Sequence, residues 1–214
     1  MLVKDRMTHN PITITADTSF PDAFRMIREK KIRHLPVVDK GKLIGIVAQT
    51  DLLHASPSSA TTLTVFEINY LLANLHVREV MTSPPITVPQ DAPLEQAAHI
   101  MVEKKIGCLP VMSNGNLVGV ITETDIFEAF LEVLGSGEPS LRVTLRVSDV
   151  RGELARLSGV IAHMGANICS VASFQGEEPG HTFVTFRLEG VDKETLLSTL
   201  QAGGEHVAHI CDAT

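Results

Sequence analysis

A shift of 74 places lays residues 3–55 over residues 77–129 without a gap, and 21 of the 53 positions are identical. The shared positions come in blocks: Met7-Thr8 with Met81-Thr82, Pro11-Ile12-Thr13 with Pro85-Ile86-Thr87, and Leu35-Pro36-Val37 with Leu109-Pro110-Val111. Gly41, Leu43 and Gly45 return as Gly115, Leu117 and Gly119, and Thr50-Asp51 returns as Thr124-Asp125. A repeat of this length is a structural unit that has been copied. The chain must therefore fold as two similar halves followed by something else.

Each copy carries the same punctuation. A short strand over residues 12–14 (86–88) precedes a helix whose apolar residues Phe20, Ala23, Phe24 and Ile27 fall on one face. Leu94, Ala97, Ala98 and Met101 repeat that face. Leu35-Pro36-Val37-Val38 starts a strand, and Asp39-Lys40-Gly41 is a turn between two apolar runs, so a hairpin is expected. Ser113-Asn114-Gly115 repeats the turn. A second helix opens near Thr50-Asp51. One such β-α-β-β-α unit is too small to cover both faces of its sheet, so the two copies should pack together.

These motifs resemble the CBS domain, and two copies are similar to a Bateman module. The resemblance spans nearly all of residues 1–135. It places repeat one at residues 1–60, a connecting segment at 61–76 and repeat two at 77–136. Residues 55–62 read as a Ser/Thr/Pro-rich loop, and residues 64–75, with Val65, Ile68, Leu71, Leu72 and Leu75, as a connecting helix.

Gly135-Ser136-Gly137-Glu138-Pro139 is the clearest linker, and residues 137–214 follow a different pattern. An alternating strand over 141–147 leads to a helix with Leu154, Leu157, Ile161 and Met164, and Gly165-Ala166-Asn167 stops it. Strands over 170–174, 181–188 and 207–211, with a helix over 193–202, complete the order βαββαβ, the ferredoxin-like arrangement. Asp149-x-x-Gly152-x-Leu154-Ala155 followed by Gly165-x-Asn167-Ile168 is similar to the ACT domain, a regulatory module for small ligands. Arg151 stands where that family commonly has proline. The fold expected is thus α/β (α+β): tandem CBS repeats and then an ACT domain. As a whole the chain resembles the acetoin-utilisation AcuB-type proteins.

The CBS resemblance implies a nucleotide site. In that family a Thr/Ser-x-x-Asp pattern at the second helix commonly holds a nucleotide, the carboxylate taking the ribose hydroxyls and hydroxyl and amide groups the phosphate. Copy two has the full pattern in Thr122, Thr124 and Asp125. Copy one has Thr50 and Asp51, but Ala48 replaces the first hydroxyl. The two clefts should therefore be unequal. An Asp at this position would also cap the helix with no ligand present. The adenine wall carries over to Ile12, Thr13, Arg33, His34 and Leu35, and to Ile86, Thr87, Gly107, Cys108 and Leu109. Which wall faces which Asp is left open.

Charge separates the copies. Residues 1–76 hold nine basic and seven acidic groups, residues 77–136 three and eight. Arg33 and His34 can serve a phosphate; Gly107 and Cys108 cannot. Arg28-Glu29-Lys30-Lys31 reads as a solvated helix face. In the last third, the ACT resemblance implies that Asp149, Gly152 and Glu153 at the first helix opening, with Asn167, hold an amino acid. A capped turn with permissive Gly152 and Asn167 explains the same residues.

Other classes fall away. A net charge of −7 disfavours a general nucleic-acid binder, and eight Phe, one Tyr (Tyr70) and no Trp disfavour a base-stacking platform. No apolar run nears the roughly 18–20 residues of a membrane span, and Met1 to Asp5 lead into no signal-peptide core, so a cytoplasmic protein is expected. Cys108, Cys169 and Cys211 show no CxxC spacing, the nine histidines no HExxH, and no metal site is expected. No catalytic triad, P-loop or GxGxxG appears. The reading is a non-enzymatic homodimeric sensor of an adenine nucleotide, AMP or ATP, with an amino acid in the ACT domain and a link to acetoin or acetate metabolism. A scaffold with empty clefts, and an enzyme with an unrecognised site, are the alternatives. No cofactor beyond the regulatory ligand is implied.

Overall fold

The computed structural model describes residues 1–56, 62–176 and 179–213. Most of the expected Ser/Thr/Pro-rich loop lies outside them. The chain divides into two compact units, Met1–Ile126 and Phe127–Thr214.

In the first unit each copy lays down the same parts. Copy one forms β1 (Thr8–His9), α1 (Phe20–Lys30), the hairpin β2 (His34–Asp39) and β3 (Lys42–Ala48), and α2 (Gln49–Ala55). After α3 (Val65–Asn74), copy two forms β4 (Val88–Pro89), α4 (Leu94–Lys104), β5 (Cys108–Ser113), β6 (Asn116–Thr122) and α5 (Glu123–Val133). From Phe127 onward, α5 belongs to the second unit. Ser19 caps α1 by accepting from the Asp22 amide at 3.3 Å, and Phe20, Ala23 and Ile27 are buried on the face the spacing predicted. Both hairpins close on two residues of positive φ, Lys40-Gly41 at 46° and 78° and Asn114-Gly115 at 50° and 80°. That turn matches the right-handed twist of the strands beside it.

The expected strands at 12–14 and 86–88 are shorter than predicted. Pairing begins only at Ile14, bridged to Val37, and at Val88, paired with Val111.

The copies exchange their first segments. β1 of copy one pairs with β6 of copy two, Thr8 opposite Val120 and His9 opposite Gly119. Thr82 of copy two likewise bridges Ile46 in β3 of copy one. The larger sheet runs β1-β6-β5-β4 beside the β2-β3 hairpin. Glycine makes this crossing possible. A Cβ on Gly119 would stand 2.6 Å from Met7 Sδ and 2.9 Å from the Thr8 carbonyl oxygen; on Gly45, 2.6 Å from Met81 Sδ and 3.1 Å from the Thr82 oxygen. Beneath the first hairpin Leu35, Val37, Val47 and Leu52 are fully buried with Ile27 and Val77. Each such side chain contributes about 1.5–3 kcal/mol. Helix α3 forms where expected, opened by Thr64, whose amide donates to Glu67 Oε2 at 2.8 Å. It buries nothing fully, and Val65, Phe66, Tyr70 and Leu71 face outward.

The second unit adds β7 (Ser140–Ser148), α6 (Glu153–His163), β8 (Asn167–Gln175), β9 (His181–Glu189), α7 (Lys193–Ala202) and β10 (His206–Ala213). The antiparallel sheet runs β10-β7-β9-β8, the ferredoxin-like order. Leu157 and Ile161 of α6 and Leu196 and Leu200 of α7 share a core with Val143, Leu145, Val184 and Phe186. Residues alternate across a strand, so the neighbours Thr144 and Thr185 take the opposite face. They are buried there, and their hydroxyls hydrogen-bond at 2.9 Å. Among the described residues no helix is long and apolar enough to cross a membrane.

Candidate functional site

Asp51 and Asp125 each stand three residues beyond the end of a strand, and each folds back on the helix opening. Thr122 donates its amide and its hydroxyl to Asp125 Oδ2, both at 2.7 Å, while the Asp125 amide points to Thr122 Oγ1 at 3.4 Å. This is a capping box. The Ala48 amide donates to Asp51 Oδ2 at 2.8 Å, but Ala48 has no hydroxyl to complete the pair. The capping role is therefore filled by Oδ2 in both copies. The second oxygen, Oδ1, stands outside the cap.

The exchange of first segments decides which wall meets which carboxylate. A cavity of about 250 Å³ is lined by Asp51, Thr50, Ala48, His34 and Ile46 from copy one and by Thr82, Ile86, Lys105, Ile106, Gly107 and Cys108 from copy two. Its volume lies just below the ~300–1,000 Å³ usual for small-ligand sites. Isoleucines supply apolar walls, Asp51 an acceptor, and Lys105 a cation. Asp51 thus faces the wall of the opposite copy. At the other helix opening Arg33 of copy one donates Nη2 to Thr124 Oγ1 at 2.8 Å. The same crossing joins Arg33 to the Asp125 side.

Electrostatics link these groups. Burial, then the Arg33 guanidinium, lowers His34 below its ordinary value, with Asp51 opposing. His34 is therefore held toward its neutral form. Burial, then the Asp125 carboxylate, pushes the Cys108 thiol up to about 12, against Arg33. Cys108 is a buried neutral wall residue, not a nucleophile.

Not every expected residue reaches a cleft. Leu35 and Leu109 are fully buried among core side chains. They shape the hairpins from behind and do not line the cavity. Thr13 and Thr87 are exposed, as are Ile12 and, at its cavity edge, Ile86. Sequence reasoning missed Ile46, Thr82, Lys105 and Ile106. The signal was present: Met-Thr and Lys-Lys-Ile are identical in both copies.

A larger groove of about 710 Å³ lies between α1 and α3, lined by Phe20, Phe24, Arg25 and Leu72 among others. It has no carboxylate and hydroxyl converging from a helix opening, so the smaller Asp51 cavity is the better ligand site.

In the second unit the expected amino-acid site is not assembled by one chain. Ser148 pairs with His181 at one end of the sheet, and Asn167 pairs with Glu189 at the other. The eight-residue step from His181 to Glu189 spans ~26 Å at ~3.3 Å per residue. The loop carrying Asp149, which leads to Gly152 (φ 87°) at the α6 opening, is therefore far from Asn167. The local motif repeats the family's residues but does not say at which end of an antiparallel sheet each falls. Glu153 is engaged by Arg156, whose Nη2 donates to Glu153 Oε1 at 2.6 Å and to Glu205 Oε2 at 2.9 Å. The Arg156 contact holds Glu153 below the usual carboxylate range. Among the described residues no group of His, Cys, Asp and Glu could hold a metal ion.

Residues 3–58 and 77–132 match the family model of the CBS domain, and residues 139–211 that of the TTHA0829-like ACT domain. The chain is a CBS-domain protein. Its CBS pair is similar in structure to AcuB of Vibrio cholerae, a protein named for acetoin utilization (36% identity, TM-score 0.53, 63% of this chain and 93% of that one). CBSX2 of Arabidopsis thaliana, solved in complex with AMP, is 32% identical over 62% of this chain and 97% of its own, at TM-score 0.52. The CBS pair of protein MJ0100, solved with 5-methylthioadenosine and S-adenosyl-L-methionine, is 32% identical over 61% and 95%, at TM-score 0.51. Related modules also occur inside enzymes. Inosine-5'-monophosphate dehydrogenase of Korarchaeum cryptofilum is 31% identical over 78% of this chain but only 32% of its own length.

Proposed function

We propose that this CBS-domain protein is a non-enzymatic sensor whose CBS pair binds an adenine nucleotide. One observation carries the reading: the cavity where Asp51, from one copy's helix opening, faces Ile86 and Cys108 of the other. An apolar slot for a base, a carboxylate for ribose hydroxyls and a nearby lysine make a consistent set of partners for such a ligand. The relatives solved with AMP and with adenosyl compounds support the same class. Titration calorimetry of the full chain with AMP, ATP and S-adenosyl-L-methionine should give binding heat and a raised melting temperature with at least one of them. No heat and no melting shift with any of the three would leave an interaction scaffold as the better description.

The ACT half extends this reading through a second copy. Strand β8 ends the sheet and leaves Val171 and Phe174 exposed, an edge that needs pairing or covering. Two β8 edges paired antiparallel about a two-fold axis bring Asn167 of one copy toward the Asp149–Glu153 turn of the other. An amino acid would bind there, and the outward apolar residues of α3 would give the CBS half its own share of the dimer. Light scattering across a dilution series should show a dimer, and a monomer at micromolar concentration would overturn this arrangement. The link to acetoin or acetate metabolism rests on the resemblance and on the name of the Vibrio cholerae relative.

A further inference from the structure

At one end of the second unit's sheet four segments converge on a polar cavity of about 340 Å³, inside the ~300–1,000 Å³ usual for small-ligand sites. The end of β7 brings Arg146 and Ser148, the first turn of α6 Glu153 and Arg156, and the start of β9 His181. The turn from α7 into β10 brings Glu205 and His206. All of them come from one chain. This separates the cavity from the amino-acid arrangement above, which draws Asn167 from a second copy.

Strand register sorts these groups. His206 pairs with Arg146, and His181 with Ser148. Arg146 and Ser148 are two places apart and so share a face, and directly paired residues stand ~4.5–5.5 Å apart at Cβ. One guanidinium, two imidazoles and a hydroxyl therefore occupy adjacent rungs of one face. The carboxylates are engaged elsewhere. Both oxygens of Glu153 and both of Glu205 accept from Arg156, and the Glu205 side chain is only 7% exposed. Neither is held out to a ligand's cation, whereas the sheet face offers donors. His181 shows that this set is incomplete. Its Nδ1 is buried with no hydrogen-bond partner among the described residues, and buried polar atoms almost always have one. A half-turn of the ring exchanges that nitrogen with Cδ2 and breaks no bond of Nδ1, which leaves it available to an oxygen in the cavity.

We propose that this cavity binds a small organic monoanion by its carboxylate, within one chain, through Arg146, His181, His206 and Ser148. Charge sets the class of ligand. Two guanidinium groups, Arg146 and Arg156, balance two carboxylates, Glu153 and Glu205, and the imidazoles and the hydroxyl add donors without fixed charge. One negative charge placed against Arg146 is matched at short range by a charge-assisted hydrogen bond. A second would face Glu153 and Glu205 with nothing left to offset it. The site thus favours a monocarboxylate over a dianion such as sulfate. It depends neither on a nucleotide in the CBS pair nor on a second copy.

The test is a titration of the full chain with acetate, lactate and sulfate at constant ionic strength, followed through the imidazole proton signals. His181→Gln and His206→Gln assign those two rings among the nine histidines. Acetate or lactate should shift both rings saturably, with one common affinity, and sulfate should bind at least about fivefold more weakly. Arg146→Met, which keeps the stem and removes the charge, should weaken the carboxylate about tenfold, in line with losing one charge-assisted contact. Arg146→Lys, which retains the charge in the same strand, should recover most of that loss. Shifts that stay linear with concentration, or an affinity that Arg146→Met leaves unchanged, would overturn the site. Equal weakening by methionine and lysine would overturn the part given to the charge, and a preference for sulfate the monoanion assignment.

Discussion

If Asp125 holds an adenine nucleotide as the proposed function has it, replacing it with alanine should lower that affinity by about tenfold or more, the weight of more than about 1–1.5 kcal/mol of charge-assisted hydrogen bonding. The variant has a second effect that must be separated. Asp125 Oδ2 receives the amide and hydroxyl of Thr122, so alanine also costs roughly 1 kcal/mol of helix cap. Asp125→Asn keeps an acceptor for that cap and removes the charge. Thermal melting should fall for alanine and hold for asparagine, while calorimetric affinity falls for both. An asparagine variant that binds as tightly as the unmodified protein would show that the carboxylate only caps the helix.

Gly119→Ala is expected to destabilise the first unit by about 1–3 kcal/mol, the range for a methyl forced into filled space. The new Cβ would meet the Thr8 carbonyl oxygen at 2.9 Å as well as Met7 Sδ. A thioether swings aside, but a backbone oxygen held in a strand pair does so only if β1 leaves β6. Gly45→Ala meets its equivalent oxygen at 3.1 Å and should cost less. Urea unfolding of both variants measures the difference. Equal stability of Gly119→Ala and the unmodified protein would mean that the crossing is not held at that point.

Local elements were legible in the sequence because their signals are local. The apolar face of α1, the turns at Gly41 and Gly115 and the connecting helix over 64–75 each depend on residues a few places apart. The pairing of β1 with β6 is different. Its partners are more than a hundred residues apart, and duplicated copies present two equally good partners to every segment. Periodicity cannot choose between them. For the same reason Asp51 and Asp125, with Ile12 and Ile86 in their walls, stood as candidates while which wall faces which Asp stayed open. Lys105 was missed because nothing near it in the chain shows that it lines the cavity beside Asp51. The separation of Asn167 from the Asp149 turn within one chain was hidden for a related reason: the motif is read along the chain, and distance across an antiparallel sheet is set by register.

The crossing of first segments also bears on how such a chain could arise. A gene for one copy alone would encode half of each cleft and neither of them whole. Two single-copy chains trading their N-terminal segments about a two-fold axis would rebuild both clefts, so the ancestor of this arrangement is most simply a symmetric pair. Fusing the pair through α3 replaces an encounter in solution with a permanent neighbour. Once the halves can no longer part, each is free to drift from the other's sequence. Arg33 against Gly107, and Ala48 against Thr122, are places where the two copies have come to differ.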